Sequence, residues 1–515
     1  MTAQLPPEMT PLATRLGLRP CYGDIHNHCD LSYGHGRFAD ALARAALQLD
    51  FLSITGHAHW PDMPVDVPEV AHIVDFHVKG FAKLRDGWSA HYDALAAADG
   101  DGFSVFPGYE IHSCEHGDYT IVYRDIDGAP LHLADSPAEL KAVLEAEMPG
   151  RALAFPHHIG YRQGARGINW DTFDPGLSPF VEMNSMHGTA ETSESPRGYL
   201  HSMGPLDGHS TMQWGLAQGH VFGIVGNTDH HSAFPGSYGH GRMCVYATAA
   251  ERGAIWDAMM ARRTNALTGA NIHLLTAIGD QVQGGIVAPS DDATLDIEAI
   301  AGGAIDTIDV IRNGALFARI SPALTPAPMT DTGETILFLE MGWGARGSAH
   351  PWDGEITIDG GEITALEPRF RGTEVVSPLE GADTAYALPS AILTDGTARF
   401  SVTAEANPNN STTATQGLAL RLRLDDTATI RATLCGQQIT IPAARLREGS
   451  LSGNLGPIDS PAYLFHPLPT PSEWQWQGRI ALGALTPGDN IYVRLRQADG
   501  QMAWASPLYC RNGAE

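Results

Sequence analysis

Five groups of residues in the first half of the chain have the types and spacing to hold metal ions. The first is Asp24-Ile25-His26-Asn27-His28. His57 closes the run FLSITGH, Glu110 ends FSVFPGYE, His157 and His158 follow RALAFP, and Asn227-Thr228-Asp229-His230-His231 follows VFGIVG. Alternation along a strand puts His26 and His28 on one face, so both imidazoles can reach one ion. Asp24 shares their parity and can orient a ligand from behind. Asp229 and His231 repeat that spacing. A carboxylate such as Glu110 can bridge two ions, one on each oxygen. An isolated H-x-H is as readily a pair of surface histidines, and an isolated His57 a loop histidine. Five such groups in order, each at the end of an apolar run, call for a common cause. Mixed imidazole and carboxylate ligands suit Zn²⁺, Mn²⁺ or Fe²⁺ better than Ca²⁺ or Mg²⁺.

The elements that must position these residues alternate in type. FLSITGH, FSVFPGYE, RALAFPHH, SPFVEMNS and VFGIVGNTDHH read as strands. RFADALARAALQLD, SPAELKAVLEAEM, STMQWGLAQ and ERGAIWDAMMARR read as helices, the second opening on a capping box of Ser136 and Glu139 with Pro137 at its first position. Repeated strand–helix alternation predicts an α/β fold with parallel strands. In such folds sites form where the carboxyl ends of the strands converge, which is where the metal-competent residues fall. Histidine usage agrees: 20 of the 23 histidines lie between His26 and His240, a span of less than half the chain. Beyond about residue 270 the texture becomes β-rich and alternating, with turn signals at Asn313-Gly314, Asp359-Gly360, Asp395-Gly396 and Asp499-Gly500. The expected organisation is a metal-binding α/β domain over 1–270 and one or two β-sandwich units over 271–515. Residues 407–417, NPNNSTTATQG, read as a polar loop.

Composition narrows the function classes. Against 32 basic residues stand 59 acidic ones, a formal net charge of −27, which argues against a nucleic-acid partner. A small anionic substrate would need a local positive centre, and bound metal ions supply one. The six cysteines include no C-x-x-C pair, so a zinc ribbon is not expected, and their scatter fits a reducing compartment. The N-terminus has no basic stretch followed by an apolar run, and no segment has the length and apolarity of a membrane span. The expectation is a soluble, cytoplasmic protein without a membrane partner.

The ordered motifs resemble those of the PHP (polymerase and histidinol phosphatase) superfamily: D-x-H-x-H, a strand-end T-D-H, a strand-end Glu, a strand-end His and S-D-x-H. They stand here as Asp24-Ile25-His26-Asn27-His28, Thr55-Gly56-His57, Glu110, His157 and Thr228-Asp229-His230-His231. VEMNSMHG (181–188), Pro235-Gly236, AIWDAMMARRTNALTG and the ending VRLRQADGQMAWASPLYC are similar to one subfamily, carried as a domain of unknown function, so the likeness spans nearly the whole chain. The resemblance implies a distorted (β/α)₇ barrel with two or three divalent ions. It assigns His26, His28, Glu110 and Asp229 to one ion, Glu110 and His157 to a second, and His57 and His231 to a third, with His35 beside them. Two positions depart from the pattern: Gly56 stands where an aspartate usually supports the second-motif histidine, and Gly34 where an acidic residue usually follows the first motif. The second ion lacks a ligand, for which His116 and Asp118 are the nearest candidates. The implied chemistry is hydrolysis by a hydroxide bridging two ions, first of a phosphate mono- or diester. Arg162 is the candidate phosphate clamp, and His158, His187 and His230 are candidate proton donors. Tyr33, His59 and Trp60 are candidate pocket residues. Two rival readings are hydrolysis of a carboxylic ester, sulfate ester or glycosidic bond, and a non-catalytic metal-binding protein whose β-region docks a partner.

Overall fold

Residues 11–100, 102–324, 333–373, 387–406 and 413–513 are described in a computed structural model. A short helix, Pro11–Leu16 (α1), leads into the strand Arg19–Asp24 (β1). The helix Phe38–Gln48 (α2) links it to Phe51–His59 (β2), and the long helix Ala71–Ala98 (α3) links β2 to Ser104–Ile111 (β3). These are the parallel crossovers the alternation predicts: Gly23 pairs with Phe51, and Phe51 with Ser104. The strands are buried along nearly their full length, as parallel strands covered by helices must be.

The expected all-parallel order ends there. Tyr119–Tyr123 (β4) returns antiparallel on β3, and Ala152–Pro156 (β5) antiparallel on β4. The connection over 112–118 is too short for a helical crossover, so a return turn forms instead. Helix Pro137–Glu147 (α4) precedes β5. Its Ser136 hydroxyl accepts from the Glu139 backbone N–H at 3.3 Å, whereas the Glu139 carboxylate takes the N–H of Asp135 instead of that of Ser136. Phe180–Ser185 (β6), Gly188–Thr189 (β7) and Gly223–Gly226 (β8) make a smaller sheet in which β6 and β8 are parallel. Helix Met212–Ala217 (α5) lies between them in sequence. Arg242–Ala247 (β9) then runs antiparallel to β1, and after helix Arg252–Met260 (α6), Thr264–Leu267 (β10) runs antiparallel to β9. The first half is therefore an α/β region with mixed sheets. Thr264 Oγ1 donates to Ile224 O (2.9 Å) and Asn184 Nδ2 to Leu267 O (3.0 Å), tying the smaller sheet to β10.

Among the described residues, the second half is antiparallel apart from a two-residue parallel pairing of Ile286–Val287 with Tyr509 and Cys510. One sheet of four strands is built on His273–Ile278 and Ser290–Ile300. Another, of eight, is centred on Ala349–Arg369 and Gln416–Leu434. Asn313-Gly314 and Asp395-Gly396 do make tight turns, each residue at positive φ between directly paired strand residues. Asp359-Gly360 does not: it is a bulge inside the strand Ala349–Arg369, with pairing slipping between Asp359 and Gly361. Of the polar loop 407–417, residues 407–412 lie outside the described residues. The two halves share backbone pairing, since β10 pairs with Met502–Ala505. Among the described residues no helix is long and apolar enough to cross a membrane.

Candidate metal centre

Glu110, the last residue but one of β3, is the hub. Its Oε1 lies 2.9 Å from His57 Nε2 and 3.1 Å from His112 Nε2. Its Oε2 lies 3.1 Å from His26 Nε2, 3.5 Å from His157 Nε2 and 3.7 Å from His28 Nε2. Asp229 forms the opposite wall, with Oδ1 3.0 Å from His28 Nε2 and Oδ2 2.7 Å from His187 Nε2. Four groups of three ligand atoms result among the described residues: His26–His28–Glu110, His28–His57–His231, His57–Glu110–His112 and Asp118–His157–His158. All of these residues are buried.

The local backbone explains the convergence. His26 and His28 are not on a strand, as expected, because β1 stops at Asp24. They are held instead by the segment after β8: Asp229 N–H donates to His26 O (2.8 Å) and His28 N–H to His230 O (2.8 Å). Asp24 fixes that segment. Its carboxylate accepts from Thr228 Oγ1 (2.5 Å), Thr228 N–H (3.1 Å) and Gly236 N–H (2.9 Å). Asp229 and His158, both non-glycine, adopt φ of +52° and +31°, strained conformations that the surrounding bonds must enforce. Behind the ligands, Glu182 lies 2.8 Å from His26 Nδ1 and accepts from His158 N–H, and Thr120 Oγ1 lies 2.8 Å from His157 Nδ1. Such partners turn the other ring nitrogen toward an ion.

The donor set fits divalent cations. Nε2 of both His112 and His157 is buried without a hydrogen-bond partner, although carboxylate oxygens are close, so these nitrogens lack the proton acceptor that a structural histidine would have. Burial pushes His231 well below the usual imidazole range, which keeps its lone pair available. Burial opposes ionisation of Glu110 and Asp229. The imidazoles of His57, His28, His112 and His157 nevertheless hold Glu110 well below the usual carboxylate range, and His26 and His187 do the same for Asp229. Asp118 is also held low against its burial, by Arg166 and His112.

Not every candidate residue enters the ligand groups: Asp229, assigned to the first ion, borders His28 and His187 but belongs to none of the four. His35 is adjacent, its N–H donating to His231 O at 2.7 Å, but belongs to none of the four groups. His116 also stands outside them, with Nδ1 3.3 Å from Thr172 Oγ1. Arg162 is exposed and lines a cavity of 420 Å³ with Gln163, Asp207 and His209. The arginine at the centre is Arg166, whose Nε donates to Asp118 Oδ2 at 2.8 Å. His230 packs near Phe234 and His240. Tyr33 stacks on His57 with ring centroids 3.5 Å apart, Trp60 lies under the Arg166 guanidinium, and His59 sits 2.9 Å from Asp135. His112, Arg166 and Glu182 were not anticipated. For His112 a signal existed: Glu110-Ile111-His112 has the same i, i+2 spacing as His26 and His28.

No protein-family model matches the chain, and no curated protein does. Among solved structures, the chain is similar to a two-domain protein from Bacteroides vulgatus ATCC 8482 that contains a predicted PHP-like metal-dependent phosphoesterase. Identity is 14% and the TM-score 0.32, over 83% of this chain and 96% of that one. It is also similar to PsfC from Pseudomonas syringae PB-5123, at 18% identity and a TM-score of 0.31, over 48% of this chain and 90% of that one. Likeness this loose carries no argument about chemistry, which rests on the buried His, Glu and Asp groups themselves.

Proposed function

We propose that the chain is a metal-dependent hydrolase of the PHP type, built on the (β/α)₇ barrel plan, whose first substrate class is a small phosphate mono- or diester. The observation that carries this reading is Glu110, each of whose oxygens faces its own set of imidazoles. A carboxylate divided in this way is placed to bridge two ions. His26, His28 and Asp229 would complete one site, His57 and His112 or His231 another. Bound there, two or three divalent ions of zinc, manganese or iron would supply Lewis acidity to the scissile group and neutralise its charge.

The chain's own residues do the rest. Asp229 accepts from or shares a proton with His187, whose Nδ1 lies 3.0 Å from the Tyr161 hydroxyl. The two contacts fix the ring's position, and it would protonate a leaving group only from a nitrogen that gives up its protein partner. His158 is a second candidate, held at one nitrogen only: its Nε2 lies 3.2 Å from Asp118 Oδ2, and its Nδ1 has no hydrogen-bond partner. Burial of the whole cluster excludes bulk water and strengthens every electrostatic contact inside it. An anionic substrate fits a net charge of −27 only if the centre itself is positive, which the ions and Arg166 provide. A reducing, cytoplasmic setting is part of the same proposal, supported by six free cysteines.

The test is hydrolysis of a generic aryl phosphate by metal-reconstituted protein, beside aryl sulfate and carboxylic ester. Turnover of the phosphate that Asp229→Ala abolishes supports the proposal. Faster turnover of the sulfate or carboxylic ester overturns the phosphoester assignment, and activity unchanged in Asp229→Ala overturns the metal mechanism.

A further inference from the structure

One of the four ligand groups already contains a cation. Asp118 Oδ2 is the oxygen that faces His158 Nε2 at 3.2 Å and His157 Nε2 at 3.8 Å. The same oxygen accepts from Arg166 Nε at 2.8 Å, is in close contact with Arg166 Nη2 and lies 2.9 Å from His112 Nδ1, which Arg166 Nη2 also touches on the side away from Glu110. The arginine is built into place. Its backbone is left-handed, at φ +68°, and a side chain on the next residue, Gly167, would start 1.6 Å from the Tyr161 carbonyl oxygen. The segment 161–167 is thus folded back tightly enough to direct residue 166 inward. The Trp60 ring lies 5.0 Å from the guanidinium carbon, and Met203 Sδ lies 3.1 Å from Nη1. Guanidinium is positive at every working pH and cannot give up its charge to admit a competitor. By contrast, the ion pairs of Glu110 and Asp229 described above run to imidazoles, which can offer a lone pair to a metal.

Resting on the metal-centre reading, we propose that Arg166 is the resident counter-cation of the Asp118–His157–His158 group, so that this group excludes a metal ion while the groups around Glu110 load. A dication placed beside this part-buried guanidinium would face like-charge repulsion with a single buried carboxylate to offset both. Arg166 is in this sense a positioning residue: it sets how many ions the centre holds and on which side of Glu110 they lie.

The experiment counts metal. Wild-type protein, Arg166→Gln, Arg166→Lys and the double variant Arg166→Gln/Asp118→Asn are stripped, equilibrated with Mn²⁺ and analysed for bound metal, with thermal melting as the check on folding. Removing the guanidinium leaves a buried, uncompensated carboxylate, so Arg166→Gln is expected to bind about one ion per chain more than wild type. The lysine variant and the double variant should return to the wild-type number. A non-zero wild-type count that Arg166→Gln fails to exceed overturns the arginine's role while leaving the metal centre standing. A wild type that binds no ion overturns both. If Arg166→Gln does not fold, anomalous scattering from Mn²⁺-loaded wild-type crystals decides. Peaks beside Glu110 and none between Asp118 and His158 support the proposal, and a peak between those two residues overturns it.

Discussion

Ser32 shows how the centre replaces what its motif lacks. The residue before His57 is Gly56, where a carboxylate is expected to orient the imidazole. A side chain at Gly56 would begin 2.7 Å from Leu84 Cδ1, so it would fit only with a shift of that leucine of α3. The Ser32 hydroxyl takes over from the opposite side, 2.7 Å from His57 Nδ1. Removing such a partner costs about 10–100-fold in metal affinity, so Ser32→Ala should weaken Mn²⁺ binding by that factor while leaving the fold intact. Calorimetric titration measures it, and unchanged affinity would deny Ser32 this role. At this scale the residues that recur in pairs or end apolar runs stand out in the sequence: His26, His28, His57, Glu110, His157 and His231 all fall in the four clusters of possible ligand atoms, and Asp229 lies beside them without entering one. Arg166 and Glu182 do not stand out. Each reaches the site from a segment with no local pattern, and only the turn at 161–167 and the end of β6 bring them in.

At the scale of elements, α3 escaped the sequence reading because polar and small residues occupy its buried face. His77, Gly80, Phe81, Leu84, Trp88, His91 and Leu95 follow helical spacing, but the two histidines and the glycine interrupt the apolar stripe. His91 lies between Phe38 and Trp88, and neither ring nitrogen has a hydrogen-bond partner. Burial lowers its pKa to about 3. Between that value and the unfolded value near 6.5, the unfolded chain binds a proton that the folded chain refuses, so stability falls as pH falls through this window. At pH 5 the loss is about 2 kcal/mol relative to pH 8. His91→Leu should remove this part of the acid sensitivity in urea unfolding at the two pH values; an undiminished pH difference would contradict it. The loop after β8 depends on a different device. Gly241 has φ +156°, and a side chain there would start 1.9 Å from the Asn227 carbonyl oxygen. Gly241→Ala should therefore displace the segment carrying Asp229 and His231, costing about 2–4 kcal/mol and metal binding together. Melting and metal analysis check both, and retention of both would contradict it.

At the scale of the molecule, the change of texture near residue 270 marks a change of architecture, yet hydrogen bonding runs straight across it. The sequence shows where alternation of strand and helix ends; it does not show that β10 finds its partner in Met502–Ala505, because that pairing is set by residues more than 230 positions apart. Glu191 makes the dependence acute. It is buried, and it accepts from Tyr492 OH (2.6 Å), Arg494 Nη1 (2.9 Å) and Trp504 Nε1 (2.8 Å), all from the C-terminal strands. A fragment of residues 1–270 would leave that carboxylate unpaired and an edge of β10 open. Such a fragment is expected to be aggregated or without cooperative melting, whereas the full chain melts cooperatively. A soluble fragment with a sharp thermal transition would show that the first half needs no partner.

If Glu110 joins histidines from separate elements into a multinuclear metal centre, elemental analysis will count the ions. Protein purified without chelators, and equilibrated with Zn²⁺ or Mn²⁺, should carry about two or more divalent ions per chain, because each oxygen of Glu110 faces its own ligand set. Glu110→Gln, equal in shape and lacking the charge, should lose most of that metal while remaining folded. Wild-type protein with essentially no bound metal, or a Glu110→Gln variant that holds as much as wild type, would contradict the account.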